Sequence, residues 1–143
     1  METLARLTRR QVDVLRAIGP RETPQTGVSL KAIAAALKVR PPSALGHVTP
    51  LEALGLVERY RGKTRLTARG RQTLVEYERH HRVAETLFAD AGLSPEASCR
   101  AAREVDLALS HRTVESVCEG ESHPRVCPHG APIAPCDSTE GER

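Results

Sequence analysis

A chain of 143 residues suits one domain or two small ones and is long enough to bury a core. Its 21 Lys and Arg against 18 Asp and Glu leave a formal charge of only +3, so any strongly basic surface has to be local. One Phe, two Tyr and no Trp are too few rings for a platform that stacks single-stranded bases, and no apolar run approaches the roughly 20 residues of a membrane span. The N-terminus has no signal-peptide pattern, which makes the expected location cytoplasmic. There the four cysteines (Cys99, Cys118, Cys127, Cys136) are expected as thiols or metal ligands rather than disulfides.

Thr8 can cap a first helix whose Val12, Leu15 and Ile18 recur at helical spacing, closed by Gly19-Pro20. Residues 19–28 read as a polar loop to which no role attaches. Ser29 caps a second helix with Leu30, Ile33, Ala34 and Leu37 on one face. Arg40-Pro41-Pro42 ends it and opens a third, because a residue before proline avoids the α region while proline suits a first helical turn. That third helix carries Leu45, Val48, Leu51 and Leu54 and stops at Gly55, suited to a left-handed cap. Pro50 within it removes one hydrogen bond and crowds the Gly46 carbonyl. Such a residue costs on the order of 3 kcal/mol in a regular helix, so a kink is expected.

Two short segments, 56–60 and 64–67, flank Arg61-Gly62-Lys63 and predict a β-hairpin. A long helix from about Ala68 to Gly92 outruns one small domain and is expected to lead into a second. Ser94-Pro95-Glu96 opens a further helix reaching about Ser110, and another spans about Arg112 to Glu119. The Pro- and Gly-rich tail has no helical period, and 137–143 are expected to be disordered.

Two short helices, a tight turn and an Arg-rich hairpin make a winged helix-turn-helix, which puts its second helix in the major groove of double-stranded DNA. The expected DNA-facing residues are Arg40, Pro42, Ser43 and His47 at the start of that helix, with Arg59, Arg61, Lys63 and Arg65 on the wing. Counted on to Arg69, Arg71, Arg79 and Arg82 against Glu58, Glu76 and Glu78, this is a local basic patch that the net charge conceals. The chain has no Gly-rich phosphate loop and no nucleophile elbow, so neither an enzyme nor a small-molecule substrate is expected.

The segments RPPSALGHVTPLEALGLVERYRGKTRLTARGR, HRVAETLF, ALS and HPRVCPHGAPI resemble the diphtheria toxin repressor family of metal-dependent transcription regulators, over nearly all of 8–135. The specific marks are Pro-Pro-Ser opening the recognition helix, Gly-Leu-Val before the wing, Leu-Thr-x-x-Gly-Arg after it, and Cys-Pro-His-Gly in the tail. The resemblance implies a mainly α fold. A winged helix-turn-helix DNA-binding domain (1–72) with a small β-hairpin wing precedes a helical dimerisation and metal-binding domain (73–136), in the short form without a further C-terminal domain. It also implies a homodimer on a palindromic operator that represses metal-homeostasis genes when Fe²⁺ or Mn²⁺ binds. The ion then selects one spacing of the two recognition helices through its differential affinity.

Carried over position by position, the family's ligands fall on His81 and Glu85, on Cys99 where a His is usual, and on Asp106 where a Glu is usual. Arg103, Leu107 and Arg10 stand where ligands are lost, and an acidic position falls on Asp13. The expected metal set is therefore His81, Glu85, Cys99 and Asp106, and the thiolate tilts preference from Mn²⁺ towards Zn²⁺. At the depleted second position, the guanidinium of Arg103, with that of Arg10 as a further candidate, is expected to stand in for the ion beside Asp106 and Asp13. Two other readings stay open. One is a metal-independent winged-helix DNA-binding module with a degenerate metal site; the other is an iron–sulfur or thiol-responsive regulator using all four cysteines, although no Cys-x-x-Cys pair is present. His80 is read as a solvated neighbour of His81, and His123 and His129 as structural members of the tail motif.

Overall fold

The computed structural model of the chain describes residues 2–23 and 25–136; the tail expected to be disordered, 137–143, lies outside the described residues. Two compact units share the chain. Arg6–Leu74 forms one, and Val75 onward forms the other together with the N-terminal segment Met1–Ala5. That segment contains a short helix, α1 (Glu2–Ala5), whose Leu4 is buried; it therefore departs from the DNA-binding domain expected to begin at residue 1.

In the Arg6–Leu74 unit, α2 (Arg9–Ile18) opens on a reciprocal capping box. Thr8 Oγ1 accepts the Gln11 N–H, and the Gln11 side chain accepts the Thr8 N–H. Val12, Val14, Leu15 and Ile18 face the core. Next come β1 (Val28–Ser29) and α3 (Leu30–Leu37), capped by Ser29 Oγ accepting from the Ala32 N–H. The helix α4 (Pro41–Ala53) begins at its first proline and buries Ala44, Val48 and Leu51. Leu54, expected in the core, lies just past the helix end and is 40% exposed. Pro50 does not end α4. It sits with Gly46 on the exposed face, where water can take up the carbonyl left without a donor.

The hairpin consists of β2 (Val57–Tyr60) and β3 (Lys63–Leu66), with Tyr60 opposite Lys63. Lys63 therefore belongs to the strand, and the turn is Arg61-Gly62 alone. Both turn residues have positive φ (50° and 73°), the pattern of a two-residue I′ turn whose twist suits the strands. β1 pairs antiparallel with β3, giving the order β1-β3-β2. The loop at 19–28, to which no role attached, thus delivers a third strand. It also delivers Glu22, whose Oε2 accepts the Leu66 N–H at 2.8 Å while Oε1 pairs with Arg71 Nε at 3.1 Å.

The Leu-Thr-x-x-Gly-Arg motif is the joint between hairpin and long helix α5 (Ala68–Asp90). Thr67 Oγ1 accepts the Gly70 N–H at 3.0 Å and donates to the Gly55 carbonyl at 2.6 Å. Gly70 is pressed so closely on the Leu56 carbonyl that a Cβ would overlap it.

In the other unit, α5 continues from Val75 and is followed by α6 (Pro95–Val105) and α7 (His111–Gly120). Ser94 and Ser110 cap these helices through their hydroxyls. α6 ends at Val105 rather than near Ser110, because the turn after it frees Ser110 to cap α7. The Cys-Pro-His-Gly stretch is a reverse turn: Gly130 N–H donates to the Cys127 carbonyl, and Cys127 N–H to the Ala131 carbonyl. The tail folds back on itself there, and Cys127, Ile133 and Cys136 join Val83, Val114 and Cys118 in the core. Among the described residues no helix is long and apolar enough to cross a membrane.

Candidate functional site

Helical spacing puts Tyr77, His81 and Glu85 in one row on α5, and all three are buried, at 0%, 5% and 3% exposure. Ionisable groups at such depth need partners. His81 Nε2 lies 2.6 Å from Glu85 Oε1 and 3.6 Å from Cys99 Sγ of α6. On the other side of the ring, Nδ1 is 2.9 Å from Asp106 Oδ2, which also accepts the Tyr77 hydroxyl at 2.8 Å. Glu85 uses its second oxygen too, with Oε2 3.1 Å from His129 Nδ1.

The chemistry follows from this order. Asp106 is fully buried and fixes a proton on Nδ1, turning Nε2 towards Glu85 and Cys99. A nitrogen, a carboxylate oxygen and a sulfur from these three residues lie within 4.8 Å of one another. That is a donor set for a borderline divalent cation such as Zn²⁺ or Fe²⁺. Without an ion, Nε2 and Oε1 stand at hydrogen-bond distance from each other. A cation has to part them.

Asp106, expected as a ligand, lies on the other side of the ring, with Oδ2 2.9 Å from Nδ1, and is not in the group formed by His81, Glu85 and Cys99. His129 and Cys127 were missed as neighbours of the centre. Glu85, Cys127 and His129 form a second convergent group that shares Glu85 with the first. No spacing rule links residues 44 positions apart, and only their place in the Cys-Pro-His-Gly motif could have drawn attention to them.

His80 is not solvated. It is 2% exposed, beside Glu76 and His111, and neither ring nitrogen has a hydrogen-bond partner among the described residues. Burial first, then the neighbouring His111 and Arg79, push its pKa from 6.5 down to about 4. Arg79 and Arg82, counted with the basic patch, leave it as well. Arg79 is buried against Glu115 at 2.6 Å, and Arg82 pairs with Glu78 and donates to the Pro132 carbonyl. The four thiols do not converge as one cluster would require. Cys99 stands by His81, Cys127 by Glu85 and His129, and Cys118 and Cys136 by His123.

The expected DNA-facing residues all lie in the Arg6–Leu74 unit. Arg40, Pro42 and Ser43 are exposed at the start of α4 and His47 is half-buried one turn on. Arg59, Arg61, Lys63 and Arg65 are exposed on the hairpin. Arg61, Lys63 and Arg65 line a groove with Tyr60 and the loop residues Gln25, Thr26 and Gly27. Arg61 covers the Tyr60 ring at 5.1 Å, and Arg65 is paired with Glu58 at 2.6 Å, which leaves it less charge to offer.

Residues 67–135, which contain the whole centre, match the family model described as iron dependent repressor, metal binding and dimerisation domain. No curated protein matches the chain. Among solved structures, the hypothetical protein SSo2273 from Sulfolobus solfataricus superposes with a TM-score of 0.81 at 26% identity, covering 90% of this chain and 99% of that one. A manganese-dependent transcriptional repressor in complex with manganese gives 0.75 at 28% identity over 90% of this chain and 59% of its own. IdeR of T. acidophilum gives 0.69 at 25% identity over 89% and 59%. The chain thus spans about three fifths of the length of these two regulators.

Proposed function

We propose that this chain is a metal-responsive, DNA-binding transcriptional regulator of the diphtheria toxin repressor family, acting as a homodimer on a palindromic operator. The observation that carries this reading is the buried His81–Glu85–Cys99 centre, oriented by Asp106, within the segment that matches the metal-binding domain. A divalent cation there would supply positive charge beside the buried carboxylates of Glu85 and Asp106. His81, Glu85 and Cys99 would hold it, and Asp106 would keep the ring turned. Fe²⁺ or Mn²⁺ is the ion by relationship, and the Cys99 thiolate extends the range to Zn²⁺.

In this reading residues 6–72 bind DNA, and 73–136 bind metal and dimerise. An apolar groove of about 170 Å³ lined by Leu87, Phe88, Val105, Leu109 and Val117 receives the second copy. Arg40 and Ser43 meet the major groove, and Arg59, Arg61 and Lys63 meet phosphates. The regulated genes are those of metal homeostasis, and the site of action is the cytoplasm.

One observation favours the metal-independent alternative: the polar atoms of the centre satisfy one another without a cation, and Arg103 and Leu107 stand where further ligands would be. Metal content and binding to the DNA upstream of the protein's own gene decide between them. A regulator takes up about one ion or more per chain, and its DNA binding is lost with chelator and in His81→Ala. Binding indifferent to chelator and to His81→Ala supports the constitutive module.

A further inference from the structure

A second convergence of soft ligands lies away from the His81 centre. Cys118 is in the last turn of α7, His123 lies just beyond it, and Cys136 is at the end of the described tail. His123 Nδ1 is 3.6 Å from Cys118 Sγ and 3.2 Å from Cys136 Sγ, and the three ligand atoms all lie within 4.8 Å of one another. With Zn–S bonds of about 2.3 Å and a Zn–N bond of about 2.0–2.1 Å, a tetrahedral ion separates S from N by about 3.5 Å and S from S by about 3.8 Å. The two sulfur–nitrogen separations therefore suit ligands around one ion, and the two sulfurs lie within 4.8 Å of each other.

The backbone is built to hold them so. Ser122 and His123 take left-handed φ values of 58° and 54°, a conformation that costs a residue with a Cβ roughly 1–2 kcal/mol. His123 N–H donates to the Cys118 carbonyl at 2.8 Å, so this reversal folds the imidazole back over the thiol. The tail turn at Cys127–Gly130 and the bond from Ile133 N–H to the Arg125 carbonyl return the chain so that Cys136 arrives beside them. Both cysteines are 2% exposed. Two cysteines in a core are ordinary small apolar residues; two with an imidazole turned onto them at strained φ are not. Burial first, then Cys136, pushes the Cys118 thiol up, and the Arg79 guanidinium, paired with Glu115 through Nη1, pulls it back towards the thiolate.

We propose that Cys118, His123 and Cys136 form a site for a thiophilic divalent cation, Zn²⁺ by donor chemistry, that clips the tail to the end of α7. Two thiolates and an imidazole suit Zn²⁺ and disfavour Mn²⁺, whereas the His81 centre has one sulfur. The fourth position is left for water or a further donor. Metal binding here is independent of the reading of the His81 centre.

The test uses the full chain carrying His81→Ala and Cys99→Ser, purified with reductant, stripped of metal and titrated with Co²⁺ and then Zn²⁺. The expected result is a thiolate-to-cobalt charge-transfer band with the intense visible bands of tetrahedral cobalt, saturating near one ion per chain and bleached by Zn²⁺. Adding Cys136→Ser abolishes the band, and His123→Ala weakens cobalt binding. Cys136→Ser is the deciding variant, because it lies in the tail and its folding is checked by circular dichroism. A second readout is alkylation of Cys118 and Cys136 in the same background, which bound Zn²⁺ should slow. No band, a band unchanged by Cys136→Ser, or a Cys118–Cys136 disulfide that persists under reductant would overturn the proposal. Failure of the His81 reading shows differently, as wild-type metal uptake that His81→Ala does not reduce.

Discussion

His80 sits in the core as a neutral ring, and that has a consequence for stability. Its folded pKa is about 4 against 6.5 for an exposed histidine, so between these values the unfolded chain takes up a proton that the folded one refuses. Its contribution is whole above about pH 6.5 and is lost as the pH falls towards 4, with a decline on the order of 2–3 kcal/mol. Denaturant midpoints in chelator at pH 7.5 and 4.5 measure it, and His80→Gln should flatten the difference. One residue along, Asp106 acts through His81. Asp106→Asn removes the charge behind Nδ1 and is expected to weaken metal binding at the His81 centre by about 10–100-fold, read by competition with a coloured chelator. An unchanged affinity would mean that Asp106 serves only to bond Tyr77.

At the scale of elements, the join between wing and α5 sets two opposing effects against each other. Alanine is favoured over glycine inside a helix by about 1 kcal/mol. At Gly70 the added methyl would overlap the Leu56 carbonyl, and forcing atoms into a packed place costs about 1–3 kcal/mol. The overlap is with backbone, which cannot step aside as a side-chain end can, so Gly70→Ala should destabilise, seen as a lower melting temperature. Glu22 holds the same region from the loop side. Glu22→Ala leaves the Leu66 N–H without its acceptor, at a cost of about 1–3 kcal/mol. Hydrogen exchange at the Leu66 amide should speed up while α2 amides hold their protection. The exposed face of α4, by contrast, offers Pro42, Ser43, Gly46, Thr49 and Pro50, small and neutral side chains that under the proposed function would let DNA come close but read few base edges.

For the whole molecule, the proposed DNA binding of a homodimer would be dominated by the wing and hence by salt. Removing one phosphate-binding cation makes the slope of log K against log salt shallower by about 0.9. Lys63→Ala should remove one such cation per wing, two per dimer. Arg65→Ala should have a smaller effect, because Glu58 already pairs with that guanidinium. Binding isotherms at several salt concentrations distinguish the two, and equal effects would argue that the Glu58 pair breaks on DNA.

Much was legible in the chain because it is decided locally. Thr8, Ser29 and Ser94 cap where their hydroxyls meet an amide three residues on, Pro41 starts α4, Gly62 permits the hairpin, and His81 and Glu85 share a face at one helical turn. These free energies act over a few residues, and a pattern can express them. Folding in three dimensions decided the rest: a two-residue strand too short to have a period, Asp106 behind His81 from 25 positions away, Arg79 drawn inward by Glu115, His80 sealed in the core, and Cys136 brought to Cys118. Which ionisable groups are buried depends on what distant segments cover them, and no local spacing carries that information.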